Sequence, residues 1–112
     1  MTTDPQPVPQ IEVEALRDLL AASDPPVVLD VRQDDEVALC RIPGSLHIPL
    51  ASLAERAGEL PKHGRIVVNC HHGGRSMRAA QWLRQNGFND VANLAGGIDA
   101  WARRIDPAME TY

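Results

Sequence analysis

Apolar residues follow two different spacings along this chain, and the two alternate. From Val13 to Leu20 they recur at helical spacing, which predicts a helix that stops at the Asp24-Pro25-Pro26 break. Three short stretches are instead almost continuously apolar, as in strands buried on both faces of a parallel sheet. These stretches lie at 27–29, 66–69 and 91–94.

Shorter signals fill the gaps between these elements. Capping residues and turn signals predict one more strand, at 45–48, and four more helical elements. The first two are a helical turn through Leu39, capped by Asp34 or Asp35, and a helix at 52–58, capped by Ser52. The other two are a helix at 76–86, capped by Ser76, and a helix after Gly97 that runs through Arg103. Strands that alternate with helices predict an α/β fold with a largely parallel sheet and helices on both faces.

The length of 112 residues suits one domain and leaves no room for two full cores. Prolines at positions 5, 7 and 9, with no periodic apolar pattern between them, predict a flexible arm over residues 1–8. The domain is therefore expected over 9–105. Residues 106–112 are expected to form an irregular tail.

Composition excludes several classes of protein. A hydrophobic fraction of 44% and a charged fraction of 23% are typical of a folded globular chain. No apolar run approaches the roughly 18 residues that a membrane span needs, and the first residues lack the features of a secretory signal. The two cysteines are too few for a disulfide scaffold, so we expect a cytoplasmic protein that does not contact the membrane.

The net charge of −4 argues against a nucleic-acid partner, but the charge is unevenly distributed. The segment from Leu60 to Asn89 contains five basic residues, no acidic residue and three of the four histidines. Charge alone favours an ordinary solvated surface for this segment. The residues within this segment, rather than its total charge, therefore decide whether it attracts small anions.

The chemically informative stretch runs from Cys70 through His71, His72, Gly73, Gly74 and Arg75 to Ser76, between a predicted strand and a predicted helix. Ligands of parallel sheets bind beyond the carboxyl ends of the strands, and a helix start presents free N–H groups to an anion. The glycines let consecutive amides converge, and Arg75 adds a fixed positive charge. These features favour the thiolate of Cys70, which predicts a cysteine nucleophile for an anionic substrate rather than a merely buried thiol.

These residues resemble the Cys-x-x-Gly-x-Arg-Ser signature of the rhodanese family of single-domain sulfurtransferases. Two further blocks resemble the family: Leu29-Asp30-Val31-Arg32 with Glu36, Ile42-Pro43-Gly44-Ser45 and His47-Ile48-Pro49, and Asn93-Leu94-Ala95-Gly96-Gly97-Ile98 with Trp101. The resemblance extends from Pro9 to Arg104. It departs from the family at Cys40-Arg41, where the usual residues are Gly-His.

The resemblance implies a five-stranded, mostly parallel α/β domain and a sulfur-transfer reaction that needs no cofactor. Cys70 would take a sulfur atom from a small anionic donor such as thiosulfate, become a persulfide, and pass that sulfur to a thiol or cyanide. The amides of residues 71–76 would hold the persulfide, and Arg75 would orient it. A sulfur carrier that acts with a protein partner is an alternative function.

Loop length separates sulfur transfer from a third hypothesis, an oxyanion enzyme such as a phosphatase or arsenate reductase. Phosphatases that share the family's fold have one more residue between the cysteine and the arginine. Four residues separate Cys70 from Arg75 here, which makes a tighter loop that suits a single sulfur atom.

Several other residues have two interpretations each. Arg32 is a candidate substrate-binding residue at the mouth of the site, or a structural residue that binds Glu36 or a loop carbonyl. His71 and His72 either attract anions or simply fill the loop.

A redox pair of Cys40 with Cys70 is disfavoured because no Cys-x-x-Cys motif is present, and a zinc site is disfavoured because ligand-pair spacings are missing. No metal is expected.

Overall fold

The structure, a computed structural model, describes residues 7–112. Its five strands are β1 (Gln10–Ile11), β2 (Val27–Asp30), β3 (Leu46–His47), β4 (Ile66–Asn69) and β5 (Val91–Leu94). Its helices are α1 (Val13–Leu20), α2 (Asp34–Leu39), α3 (Leu53–Arg56), α4 (Gly74–Gln85) and α5 (Gly97–Arg104), with 3-10 turns at Leu50–Ser52 and Ala57–Glu59. The strands form one sheet in the order β1-β5-β4-β2-β3, and every pairing is parallel. The predicted α/β fold with a parallel five-stranded sheet is confirmed.

The sheet separates two hydrophobic clusters, as expected for strands that are apolar on both faces. In β4, Ile66 and Val68 point into one cluster and Val67 into the other. The first cluster is closed by α3 and α4, which contribute Leu53, Ala79, Ala80 and Leu83. The second is closed by α1 and α5, which contribute Val13, Leu16, Ile98 and Trp101. Because β4 and β5 are buried throughout, the carboxyl ends of these central strands provide a rigid base.

The structure corrects the expected start of two helices. Ser76 was expected to cap α4, but α4 begins at Gly74 with Gly73 at the N-cap position, so Ser76 lies inside the first turn. Gln33, rather than Asp34 or Asp35, precedes α2, and the carboxylate of Glu36 accepts its backbone N–H at 3.1 Å. The edge strand β1 was not predicted, because two residues carry no periodic pattern.

The two ends of the described chain both contact the domain. Residues 1–6 of the predicted arm lie outside the described residues, but Val8 packs against the first cluster and Pro7 accepts a 2.8 Å hydrogen bond from Arg84. Residues 106–112 contain no helix or strand, and Met109 packs against the second cluster. Within residues 7–112, no helix has the length and apolar character needed to cross a membrane.

Candidate active site

Cys70 lies immediately after β4, at the carboxyl end of the central strand of the sheet. The residue is 1% exposed, and its thiol is free. Its Sγ accepts a hydrogen bond from the amide of Gly73 at 3.1 Å and one from the hydroxyl of Ser76 at 3.3 Å. The 12-residue helix α4 begins at Gly74, so its positive end lies beside the sulfur. Both donors and the helix dipole stabilise negative charge on Sγ.

The loop between Cys70 and α4 depends on two glycines that no other residue replaces without strain. Gly73 has φ +118°, which turns its amide toward the sulfur. Gly97, at the start of α5, has φ +60°, and a Cβ there would overlap the backbone carbonyls of Cys70 and His71. This close approach allows the amides of Ile98 and Asp99 to donate to those two carbonyls at 2.8 and 3.1 Å. The start of α5 therefore holds the outer side of the loop.

Ser76 connects the sulfur to a buried amide. Its hydroxyl is hydrogen-bonded to Asn93 Oδ1 as well as to Cys70 Sγ. Asn93 Nδ2 donates to the Gly73 carbonyl at 3.3 Å and to Gln10 Oε1 at 3.2 Å, which fixes the orientation of the amide. A hydroxyl has one proton, so it donates to Sγ when the sulfur is a thiolate and to Asn93 when the sulfur carries its own proton.

Arg75 forms a two-point ion pair with Glu36 of α2. Its Nη1 and Nη2 lie 2.6 and 2.8 Å from the two carboxylate oxygens. The hydrogen bond from Arg75 lowers the pKa of Glu36 to about 2, and the hydrogen bond to Glu36 raises the pKa of Arg75 above its ordinary value. Negative charge on Cys70 raises the pKa of Arg75 further, by less than Glu36 does. Sequence reasoning placed Arg75 at the site but missed Glu36 as its partner.

His71 and His72 stack on one another, with ring centroids 3.9 Å apart and planes tilted by 32°. His72 is exposed and its Nε2 lies 3.8 Å from Asp99 Oδ2. The two histidines and Asp99 bring three ligand atoms within 4.8 Å of one another. Asp99 Oδ2 also lies 3.2 Å from Arg103 Nη2, so its carboxylate already has a cationic partner.

Tyr112 covers the other face of His71, although its segment was expected to be an irregular tail with no readable role. The two rings are stacked with centroids 4.0 Å apart and planes within 9°. The Tyr112 hydroxyl donates to Glu36 Oε2 at 2.7 Å. No pattern in the sequence indicated this contact, because it joins positions that are 76 residues apart.

Arg32, a candidate substrate-binding residue, lies beneath the site and is fully buried. It forms a buried ion pair with Asp30, with Nη2 2.7 Å from Oδ2, and donates to the carbonyls of Cys40 and Glu36 at 2.7 and 3.2 Å. The structural interpretation of Arg32 therefore matches its contacts, whereas a role at the mouth of the site does not, because no part of the side chain is exposed.

Cys40 lies apart from Cys70, in the second cluster, whereas Cys70 belongs to the first. Both cysteines are free and buried. Their placement in clusters on opposite faces of the sheet does not suit a disulfide between them.

The assembled site suits a cysteine nucleophile that attacks an anionic substrate. A buried sulfur receives two hydrogen bonds, lies at a helix start and is within the electrostatic reach of Arg75. Amide and hydroxyl donors of this kind stabilise a thiolate before attack and a sulfur anion after it. Fold and loop together define the class as an α/β domain with a cysteine-containing loop between a central strand and a helix.

Comparison with known proteins narrows this class. The model of the rhodanese-like domain family matches residues 12–104. A sulfurtransferase of Allochromatium vinosum is 38% identical over 102 residues, which cover 91% of this chain and 95% of that protein. The putative sulfur carrier protein YrkF of Bacillus subtilis is 34% identical over 99 residues, which cover 88% of this chain and 54% of that protein. The chain belongs to the rhodanese-like family of single-domain sulfurtransferases.

Solved structures agree with this assignment. A rhodanese-like domain protein of Staphylococcus aureus superposes with a TM-score of 0.82 at 30% identity, over 94% of this chain and 99% of that one. The human single-domain sulfurtransferase superposes with a TM-score of 0.77 at 29% identity, over 87% and 97% of the two chains. Sulfurtransferase activity is therefore the activity of the family to which this domain belongs.

Proposed function

We propose that this protein transfers a sulfane sulfur from a thiosulfate-like donor to a thiol or cyanide through a persulfide on Cys70. The thiolate attacks the outer sulfur of the donor. An S–S bond forms at Cys70 while the donor's own S–S bond breaks, and sulfite leaves with the electron pair. The acceptor then attacks the outer sulfur of the persulfide, and the electron pair of that S–S bond returns to Cys70 as a thiolate.

The observation that carries the proposal is the pair of hydrogen bonds to Sγ, from the Gly73 amide and the Ser76 hydroxyl. Both donors are in place before substrate arrives: the loop carbonyls are bound by α5, and Ser76 is buried in the first turn of α4 with its oxygen 3.3 Å from Sγ. Donors that are already oriented need no reorganisation when charge develops on sulfur. The amides of residues 71–76 and the hydroxyl of Ser76 therefore hold the thiolate and the persulfide anion.

An anionic donor suits the charge around the loop. Of the five basic residues between Leu60 and Asn89, Arg75 and Arg78 lie in the first two turns of α4, next to the Cys70 loop, whereas Arg65 precedes β4 and pairs with Asp90. Glu36 compensates part of the charge on Arg75, whereas Arg78 in the second turn of α4 is exposed. Within about 8 Å at physiological salt, such charges attract a small dianion. The short Cys70–Arg75 loop disfavours the larger tetrahedral oxyanion of a phosphatase substrate.

A protein acceptor is a second candidate, and a groove beside Arg75 favours it. The groove has a volume of about 480 Å³ and is lined by Val31, Gln33, Pro49, Leu50, Ala51, Arg75 and Arg78. A smaller groove of about 210 Å³ continues it across Leu50 and Arg78 to Trp82. An apolar floor with two arginines at its edge suits an extended acidic segment. Relatives named as a sulfur carrier and as a combined adenylyltransferase and sulfurtransferase support this candidate.

Thiocyanate formation from thiosulfate and cyanide tests the leading proposal. Cys70→Ser should abolish the reaction, and Cys40→Ser, which removes a buried thiol from the other face of the sheet, should retain it. Thiocyanate formation by Cys70→Ser at the wild-type rate would contradict the proposal. Arg78→Glu separates the two candidates, because it should impair transfer to a protein acceptor more than transfer to cyanide.

A further inference from the structure

Residues 106–112 lie outside the segment matched by the family model, yet they return to the reactive loop. The segment leaves α5 through a turn in which the Asp106 carbonyl accepts the Met109 amide at 3.0 Å. Met109 packs against the second hydrophobic cluster. This anchor carries the following residues across the side of the site, where residues 110–112 lie against Cys40, His71 and Asp99 and leave no space for a water molecule.

Tyr112 contacts three parts of the site at once. Its hydroxyl donates to Glu36 Oε2 at 2.7 Å and accepts from Arg32 Nη1 at 3.0 Å. Its ring is stacked on His71. Glu36 is the partner of Arg75, and His71 directly follows Cys70. Tyr112 therefore contacts the immediate neighbour of each of these two site residues.

We propose that Tyr112 is a positioning residue of this site. It holds Glu36 in place for Arg75 through its hydroxyl, and it holds the first half of the Cys70 loop through its ring. This inference rests on the proposed sulfur transfer. The hydrogen bonds and the ring contact of Tyr112 go to Arg32, Glu36 and His71, so it acts through Arg75 and His71.

The hydroxyl contact controls the direction of the Arg75 side chain. Glu36 Oε2 accepts from Arg75 and from Tyr112, while Oε1 accepts from Arg75 and from the Gln33 amide. Each carboxylate oxygen is therefore fixed by one donor besides Arg75. Without the Tyr112 hydroxyl, Oε2 is held by Arg75 alone, and the ion pair can rotate about Oε1. A rotated Arg75 binds an anionic donor less well.

The ring contact controls the shape of the loop. α5 binds the carbonyls of Cys70 and His71, while the side chain of His71 is held between the rings of Tyr112 and His72. A loop that loses the Tyr112 ring keeps its backbone bonds but no longer has a fixed His71. The Gly73 amide, two residues further along the loop, then spends less time within hydrogen-bond distance of Sγ.

The two contacts can be separated by substitution at one position. Tyr112→Phe keeps the ring and removes the hydroxyl, whereas Tyr112→Ala removes both. Tyr112 is 41% exposed, so neither change should prevent folding. Leu39→Ala is the matched control, because Leu39 is exposed to a similar extent, at 45%.

The test compares these variants in a Cys40→Ala background. For Tyr112→Phe we expect the KM for thiosulfate to rise about tenfold, because one hydrogen bond to a charged group is lost. We expect kcat to stay within about twofold of the background value. Tyr112→Ala should show the same rise in KM together with a lower kcat and an altered rate of Cys70 alkylation by iodoacetamide. Leu39→Ala should match the background. Unchanged KM, kcat and alkylation rate in Tyr112→Ala would overturn the inference.

A second readout does not depend on sulfur transfer. Tyr112 is the single tyrosine of the chain, so tyrosinate absorbance near 295 nm reports on it alone. Burial, and then the hydrogen bond donated to Glu36, raise the pKa of Tyr112 to about 12, against an opposing effect of Arg32. Glu36→Gln should move this titration toward the ordinary value of about 10. If Tyr112 of the wild type titrates with a pKa of about 10, the inference is overturned even where sulfur transfer is confirmed. If Tyr112 titrates at about 12 and sulfur transfer fails, only the proposed function is overturned.

Discussion

Gly97 lies against the backbone carbonyl of Cys70 so closely that a Cβ on Gly97 would overlap the carbonyl oxygen. The same approach lets the next amide, that of Ile98, donate to this oxygen at 2.8 Å. The two residues belong to different elements, and their contact turns the carbonyl side of the reactive loop toward α5. The shape of the site therefore depends on a glycine that is 27 positions away from Cys70.

Gly97→Ala should disrupt the site more than the rest of the domain. The substitution adds a Cβ at φ +60°, where an L-residue is strained by about 1–2 kcal/mol, and the overlap with two carbonyls adds to that cost. We expect a lower melting temperature and an altered rate of Cys70 alkylation. Gly58→Ala is the control, because a Cβ there meets nothing within 4 Å. Equal behaviour of the two variants would contradict the role of Gly97.

Ser76→Ala should lower both reactivity and stability. The thiolate loses its hydroxyl donor, and we expect kcat/KM for sulfur transfer to fall about tenfold. When Cys70 carries its proton, the buried oxygen of Asn93 also loses its donor, which should cost about 1–3 kcal/mol in the free energy of unfolding. Steady-state assays and urea denaturation measure the two effects. Wild-type kcat/KM in this variant would show that the hydroxyl does not act on sulfur.

Arg32→Met should destabilise the protein much more than the loss of an exposed arginine does. The substitution leaves Asp30 as a buried charge without its partner, which should cost about 3–5 kcal/mol in the free energy of unfolding. Arg65→Met is the matched control, since it breaks an exposed pair with Asp90 and should cost less than about 1 kcal/mol. An Arg32→Met protein as stable as Arg65→Met would show that the buried pair with Asp30 does not hold the fold.

The Glu36 carboxylate should stabilise the folded protein at neutral pH and should lose this effect at acidic pH. Its pKa is lowered to about 2 in the folded protein by the hydrogen bond from Arg75, while the ordinary value is 4.5. The folded state therefore favours the carboxylate. Its stabilising contribution is fully present above pH 4.5 and is lost as the pH falls toward 2.

Urea denaturation of the wild type and of Glu36→Gln at pH 7 and at pH 3 measures this contribution. The comparison cancels the titration of the other carboxylates. The difference in unfolding free energy between the two proteins should be larger at pH 7 than at pH 3. An equal difference at both values would show that Arg75 does not hold Glu36 in its charged form.

The sequence was sufficient for the fold because its main signals are local. Continuous apolar runs at β2, β4 and β5 report strands buried on both faces, and helical spacing reports α1. The strand β1 has two residues and is defined only by its pairing with β5, so no local pattern could indicate it. Ser76 was expected at a cap because serine favours that position. The loop placed a left-handed glycine there instead and turned the serine toward Cys70.

The candidate site was predictable in its nucleophile loop and not in the residues around it. The loop is contiguous, so Cys70, Gly73 and Arg75 could be identified together. The partners of the loop, Glu36 and Tyr112, come from α2 and from a segment without secondary structure. Such contacts are set by the packing of the whole domain, and an isolated glutamate or tyrosine in a sequence gives no indication of them.

The mass of the intact protein after treatment with thiosulfate tests the central proposal most directly. A persulfide adds about 32 Da, and peptide mapping should place it on Cys70, since the thiolate there is the nucleophile. Cys40→Ser should gain the same mass and Cys70→Ser should gain none. A persulfide that forms on Cys40 alone, or a protein that gains about 80 Da on Cys70 from a phosphoryl donor and nothing from thiosulfate, would contradict sulfur transfer through Cys70.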